Sequence, residues 1–339
     1  MGEAPPVGRS TSGEAAVRGL GFAAAGYLVI SCADAAIKFA LTDVGVAGAM
    51  LWRGVVGAIA VAVLARGRGL VPRNAPLVLG RSALHCSVSI LWYYVWMAGF
   101  GLADSYAVAA AAPLLMTLLA IPMLGERVGW RRWMSCVVGF GGVLFMLQPG
   151  GELWRWEAAL LLVGVCGMAV SRIWTRTLAA TDPPTTIAFW LMAMHIPFGL
   201  AVLPVEGLWP PGGAPDLVPS AGLALLLAFF GVSNAIAHVL FARGFALARV
   251  ASLAPLEYTP LIYGVVLGFL IFGEIPAWTT LIGAGVVIAA GLYNVHRERV
   301  RRAEERAENK RAEERAESKR AGERAGHGRA EGNGRAPPA

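Results

Sequence analysis

Asp34, Lys38, Arg53, His238 and Glu257 each stand inside a stretch of otherwise apolar sequence. A polar side chain in such surroundings costs several kcal/mol unless it is paired or faces water, so each marks a candidate for binding or proton transfer. Tyr27, Ser31, Asp34 and Lys38 follow one another at spacings of four, three and four, which puts them on one helical face. Asp34 and Lys38 can form an i,i+4 ion pair or a coupling pair there, although Lys38 is near enough to the end of its run to snorkel instead. Arg53 lies about eight residues inside the next run. A buried guanidinium needs a carboxylate, carbonyls or an anionic substrate group. Glu257 sits between Pro255 and Pro260, which remove backbone hydrogen bonds on either side of its carboxylate. A carboxylate at such a helix break can hold a cationic group or carry a coupling proton.

A second set of candidates is aromatic or amide. Arg81, His85, Ser89, Trp92 and Trp96 recur at helical spacing. Trp92 and Tyr93 lie deep enough to stack on a flat substrate, as does Tyr258 beside Glu257. Trp96 reads as part of a membrane-interface belt and Arg81 as an anchor at the end of its run. Asn234 and His238 are one turn apart, and His195 beside Pro197 reads as an interhelical donor. The binding set is therefore Arg53, Trp92, Tyr93, Asn234, His238, Glu257 and Tyr258, with Asp34 and Lys38 as the coupling or ion pair. No HExxH, reactive GxSxG, phosphate-cradling loop or metal-ligand spacing occurs, so no enzyme activity, metal or cofactor is expected. The four cysteines read as small buried hydrophobes.

Composition says what must position these groups. Hydrophobic residues make up 56% of the 339 and charged residues only 15%, well below the quarter of a soluble domain. The chain is thus expected to be an all-α integral membrane protein in contact with lipid. The net charge of +7 does not signal nucleic acid, because the segment from Arg297 onward carries 13 Lys/Arg against 9 Asp/Glu. Ten apolar runs are expected to span, roughly 17–40, 45–65, 76–98, 103–124, 129–148, 155–178, 184–204, 219–243, 250–273 and 276–296. Turn-rich breaks separate them, such as Pro149–Gly151 and Pro210–Gly213. With the N-terminus inside, the inner loops hold Arg66, Arg68 and Arg73, then Arg127, Arg131 and Arg132, then Arg172 and Arg176, then Arg243 and Arg249. The outer loops hold Asp43, Asp104, Glu152, Glu206, Asp216 and Glu274, with Arg155 their one base. That bias predicts both termini in the cytoplasm of a multi-pass inner-membrane protein.

The chain also repeats itself. Gly99-Phe-Gly-Leu-Ala103 returns as Gly244-Phe-Ala-Leu-Ala248, each followed by an apolar run with one proline, Pro113 or Pro260, closing on Leu124-Gly125-Glu126 or Phe272-Gly273-Glu274. Bases follow the first copy and not the second, so the copies are expected to face opposite ways as two inverted five-helix repeats. Glu126 and Glu274 read as caps or ends of spans. The glycines of the fifth and tenth runs permit close backbone approach, within the bundle or in a homodimer.

These motifs together resemble the drug/metabolite transporter superfamily. Ala254-Pro-Leu-Glu-Tyr-Thr-Pro260 and the Gly283-to-Tyr293 run are similar to its EamA-type branch. The resemblance spans residues 17–296, as repeats over 17–148 and 155–296, between a polar start at 1–16 and a charged low-complexity tail at 297–339. It implies a secondary carrier for a small polar metabolite working by alternating access, proton-coupled or by exchange. Helices one to four and six to nine would line its cavity. The Asp–Lys and Glu–Tyr pairs look closest to its riboflavin and S-adenosylmethionine carriers. The alternative is a non-transporting scaffold or lipid-handling enzyme that recruits a partner through the tail.

Overall fold

The computed structural model describes residues 13–124, 130–148, 156–206, 219–248, 253–293, 295–297, 300, 303, 307 and 311. Gly125, Glu126, Arg127, Pro149–Gly151, Glu152, Arg155, Pro210–Gly213, Asp216, Arg249, residues 1–12 and most of the tail lie outside the described residues, as do the side chains of Arg131 and Arg132. Regular structure among the described residues is helical, with no strand. In chain order the helices are α1 Gly13–Leu64, α2 Ala75–Met97, α3 Leu102–Ala109, α4 Ala112–Leu124, α5 Trp130–Leu147, α6 Trp156–Leu178, α7 Pro184–Val202 and α8 Ala221–Leu247. A 3-10 turn, Ala254–Tyr258, leads into α9, Thr259–Phe272, and residues 278–293 form α10. Seven of the described stretches are long and apolar enough to cross a membrane.

Glycine and proline set the breaks. Val17–Leu64 has 48 residues, more than twice the ~20 that one crossing needs. It is divided at Gly45, whose φ of 64° and ψ of −176° belong to a region essentially reserved for glycine. The Glu206 carboxylate fills the space a side chain at 45 would take. It accepts hydrogen bonds from the N–H of Val46 and of Ala47, the latter at 2.9 Å, and so caps the second half of α1. Burial pushes this carboxyl above its ordinary range, while the two N–H groups pull it back. Glu206→Ala should lower the unfolding free energy by roughly 1 kcal/mol, the usual cost of a lost N-cap. Thermal unfolding of the purified protein checks this, and an unchanged midpoint would contradict the cap.

One continuous helix is expected over 103–124, but the structure divides it into α3 and α4. Pro113 has no N–H to give the Ala109 carbonyl, and the chain turns at 110–111. At Pro260 the freed Leu256 carbonyl is taken by the Thr259 hydroxyl, 2.7 Å away, so α9 starts cleanly after the 3-10 turn. At its other end Gly273 is left-handed. The Gly273 N–H donates to the Phe269 carbonyl and the Glu274 N–H to the Gly268 carbonyl, a Schellman ending. That turn throws the Glu274 side chain back across the bundle, where it accepts from the Leu102 N–H at 2.8 Å and caps α3.

The connections meet in pairs. Near one end, Arg73 N–H donates to Asp182 at 2.6 Å and the Trp190 indole to the Leu70 carbonyl at 2.8 Å, joining the α1–α2 connection to α6 and α7. Away from them, the Gly45 turn meets Glu206 after α7, and Thr280 of α10 donates to Asp104 of α3 at 2.7 Å. Gly142 of α5 packs directly on the Gly283 carbonyl of α10, so these glycines serve a contact within the chain.

Leu225, Leu270 and Ile262 project outward while Arg53, Arg81 and Glu257 are buried, the reverse of a water-soluble domain. Two expectations about individual residues fail. Trp96 is buried and donates its indole N–H to the Ser105 hydroxyl at 3.1 Å, so it belongs to the core and not to an interfacial belt. Cys166 is exposed on α6, unlike the buried Cys86 and Cys136.

Candidate substrate-binding cavity

A cavity of about 140 Å³ lies among α1, α2, α3, α6, α7, α8 and the 3-10 turn. Most of its wall is apolar, and its polar groups are concentrated in two clusters.

The first cluster centres on Arg53, which is 5% exposed. Its Nη1 donates to the Ser89 hydroxyl at 3.0 Å and the Tyr93 hydroxyl at 2.8 Å. Nη2 lies 3.1 Å from His238 Nε2 and 3.4 Å from His85 Nε2. A guanidinium only donates, so both imidazoles must present a lone pair at Nε2. That leaves the proton of His85 on Nδ1, 3.5 Å from the Ser171 hydroxyl. The His85 and His238 rings meet edge to face at 5.0 Å. Arg81, one turn before His85, donates from Nε to the Thr175 hydroxyl at 2.9 Å.

The second cluster is built on the helix break. The 3-10 turn presents Glu257 to the cavity, where it pairs with Arg172 of α6. The Arg172 guanidinium also stands 5.9 Å over the Tyr27 ring. Asp34 accepts from the Tyr106 hydroxyl at 2.7 Å. Trp92 adds an aromatic surface to the wall, held edge to face against Trp96.

Comparison with known proteins follows from this geometry. The model of the EamA-like transporter family matches residues 155–295. The riboflavin transporter of Rhizobium johnstonii is 30% identical over 215 residues, 62% of this chain and 68% of that protein. The chain belongs to the EamA-like transporter family. The S-adenosylmethionine uptake transporter of Rickettsia prowazekii is 26% identical over 234 residues, 67% of this chain and 76% of that one. A crystal structure with 17% identity superposes with a TM-score of 0.57, covering 86% of this chain and 99% of that one, a likeness of fold. The protein is thus a multi-pass transporter of the drug/metabolite superfamily, placed in the inner membrane, and both sequence relatives are named as transporters.

In this EamA-like transporter the cavity gathers Asp34, Arg53, Trp92, Tyr93, His238 and Glu257 along its wall. Three other candidates lie away from its walls. Lys38 does not pair with Asp34: it reaches Glu274 and stands over the Phe272 ring, because the residue beyond the α9 turn offers it a carboxylate that Asp34, engaged with Tyr106, does not. Asn234 is fully buried and donates back to the Phe230 carbonyl at 3.0 Å. Tyr258 points its hydroxyl at Gly291 of α10, away from Glu257's side of the turn. His195 reaches the Leu191 carbonyl at 2.7 Å and lies 3.3 Å from the Ser89 hydroxyl, tying α7 to α2.

Arg81 and Arg172 are wall residues that the charge pattern assigns to an anchor and an inner loop. For Arg172 a signal existed: it stands six residues before the end of α6, more than one turn inside the helix. Arg81 follows the same rule, with six helical residues before it in α2.

Proposed function

We propose that this EamA-like transporter is a ten-span secondary carrier whose two five-helix halves run antiparallel and pass a small polar metabolite through the cavity by alternating access. The paired connections at the two ends of the bundle support that topology, as does the family match over residues 155–295, which is close to the second repeat. The observation that carries the reading is the cavity itself, lined by Arg53 and Asp34 from the first half and by Arg172, His238 and Glu257 from the second. Riboflavin and S-adenosylmethionine, the substrates for which the two relatives are named, each have a ring system that Trp92 can stack on. Arg53 holds an electronegative or anionic part of the substrate. Glu257, partnered by Arg172 in this conformation, holds a cationic part or the coupling proton.

Counterflow in proteoliposomes tests the function. Vesicles preloaded with unlabelled riboflavin or S-adenosylmethionine should accumulate the labelled compound well above protein-free vesicles. Folded protein that shows no counterflow with these, with amino acids or with nucleosides would remove the carrier reading.

Alternating access needs ties that can break. Lys38–Glu274, Glu274 to the Leu102 N–H and Thr280 to Asp104 join the two halves beyond the cavity wall, beside the buried Ile37. Lys38→Met with Glu274→Gln should favour the state in which that end is open. A water-borne maleimide should then react with Ile37→Cys roughly tenfold faster, the shift that about 1.4 kcal/mol gives. An unchanged rate would make the ion pair a static contact.

A further inference from the structure

We infer that Arg53 and Arg81 form an anion-binding subsite in the cavity, and that the transported metabolite carries a carboxylate or phosphate seated between them. The inference rests on the carrier reading and narrows its substrate class: of the two compounds named above it favours S-adenosylmethionine, which carries a carboxylate, over riboflavin, which carries neither group.

Both guanidiniums line the cavity and each is 5% exposed. Each also keeps a buried donor with no hydrogen-bond partner, Nε on Arg53 and Nη1 on Arg81. Everything they do touch is neutral: two hydroxyls and two imidazole lone pairs for Arg53, one hydroxyl for Arg81. Among the described residues no carboxylate comes within ion-pair distance of either. Of the two carboxylates on the wall, Glu257 pairs with Arg172, while Asp34 accepts from the Tyr106 hydroxyl and meets Arg53 only through space, without an ion-pair contact. Three arginines against two carboxylates leave the cavity with excess positive charge.

An unpaired buried cation is among the costliest groups a protein can hold, and the free donors sharpen the mismatch. His85 lies 3.4 Å from Arg53 Nη2 and one helical turn from Arg81, and all three line the same cavity. Planar forks of this kind match the oxygens of a carboxylate or phosphate, and the apolar surroundings strengthen the attraction. A neutral metabolite would leave the excess positive charge in place. An anionic one balances it, while its uncharged remainder meets Trp92.

Matched ligand pairs on the purified full-length protein test this, read by binding calorimetry: riboflavin against riboflavin 5′-phosphate, adenosine against its monophosphate, and phenylalanine against phenylalaninamide. In at least one pair the anionic member should bind about tenfold or more tightly, about 1.4 kcal/mol. Which pair responds separates phosphate from carboxylate. Arg81→Gln should erase that preference, weakening the anionic member at least severalfold more than the neutral one. Arg81→Lys should keep part of it, because the charge remains without the fork. If Arg81→Gln does not yield monodisperse protein, a severalfold loss of preference in Arg81→Lys carries the test.

Equal binding within every pair, equal weakening of both members by the substitution, or no binding by any anionic member would overturn the subsite. Counterflow separates the two readings: neutral members exchanging without anion preference keeps the carrier and removes the subsite, whereas no exchange by any compound removes the carrier as well.

Discussion

Glu257→Ala should reduce transport by about a hundredfold or more and destabilise the fold by roughly 3–5 kcal/mol, the penalty for leaving a buried ion-pair partner alone. The stranded group is Arg172, whose side chain is 19% exposed and has no second carboxylate in ion-pair contact among the described residues. The two effects have different origins and can be separated. Glu257→Gln with Arg172→Met removes both charges and keeps comparable volume, so most of the stability should return. Transport should not, because neither a cationic substrate group nor a coupling proton has a carboxylate to meet. Thermal unfolding and initial uptake rates, normalised to reconstituted protein, give the two readings. A double variant that unfolds like the parent and also transports like it would assign Glu257–Arg172 a purely structural role.

Arg53→Met should abolish measurable uptake, a loss of about a hundredfold or more. One guanidinium here organises Ser89, Tyr93, His85 and His238 from α2 and α8. Its removal leaves buried hydroxyl and imidazole groups without their donor, at about 1–3 kcal/mol for each group left unsatisfied. Arg53→Lys keeps the charge yet cannot restore the arrangement, since an ammonium lacks the planar fork that serves four partners on two helices. It should remain at least about tenfold impaired, where a role limited to positive charge predicts recovery. Uptake by Arg53→Lys at the parent rate would show that charge alone suffices.

Much of this architecture is legible in the sequence because a bilayer restricts what a chain can do. Apolar runs must be helices, so the ends of α2, α6 and α7 fall within a few residues of where hydropathy and turn residues put them. Helical spacing brings Arg81, His85, Ser89 and Trp92 to one wall, and the paired prolines announce the break that presents Glu257. Gly273 and Glu274 also gain a physical reason. The glycine supplies the left-handed turn that ends α9, and the glutamate beyond it caps α3 and holds Lys38.

What the sequence does not show is which buried groups choose each other across helices. Lys38 is one turn from Asp34 yet lies 236 residues from its real partner, Glu274. Glu257 and Arg172 are 85 residues apart. Local spacing carries no trace of either pair, because the bundle closes them only after the helices have packed. Asn234 and Tyr258 mislead in the opposite direction: each has a polar group at the right depth, but rotation of its helix or turn aims it at backbone or at α10.

Transport through this cavity requires a water-reached path that the substrate enters, and substituted-cysteine labelling tests this most directly. In a background with Cys32, Cys86, Cys136 and Cys166 replaced, Met168→Cys places one thiol on the cavity wall at mid-helix. A water-borne thiol reagent should modify it despite its depth, and the metabolite that drives counterflow should slow the modification in proportion to its occupancy. A thiol that resists the reagent, or reacts equally fast with and without that metabolite, would contradict the claim.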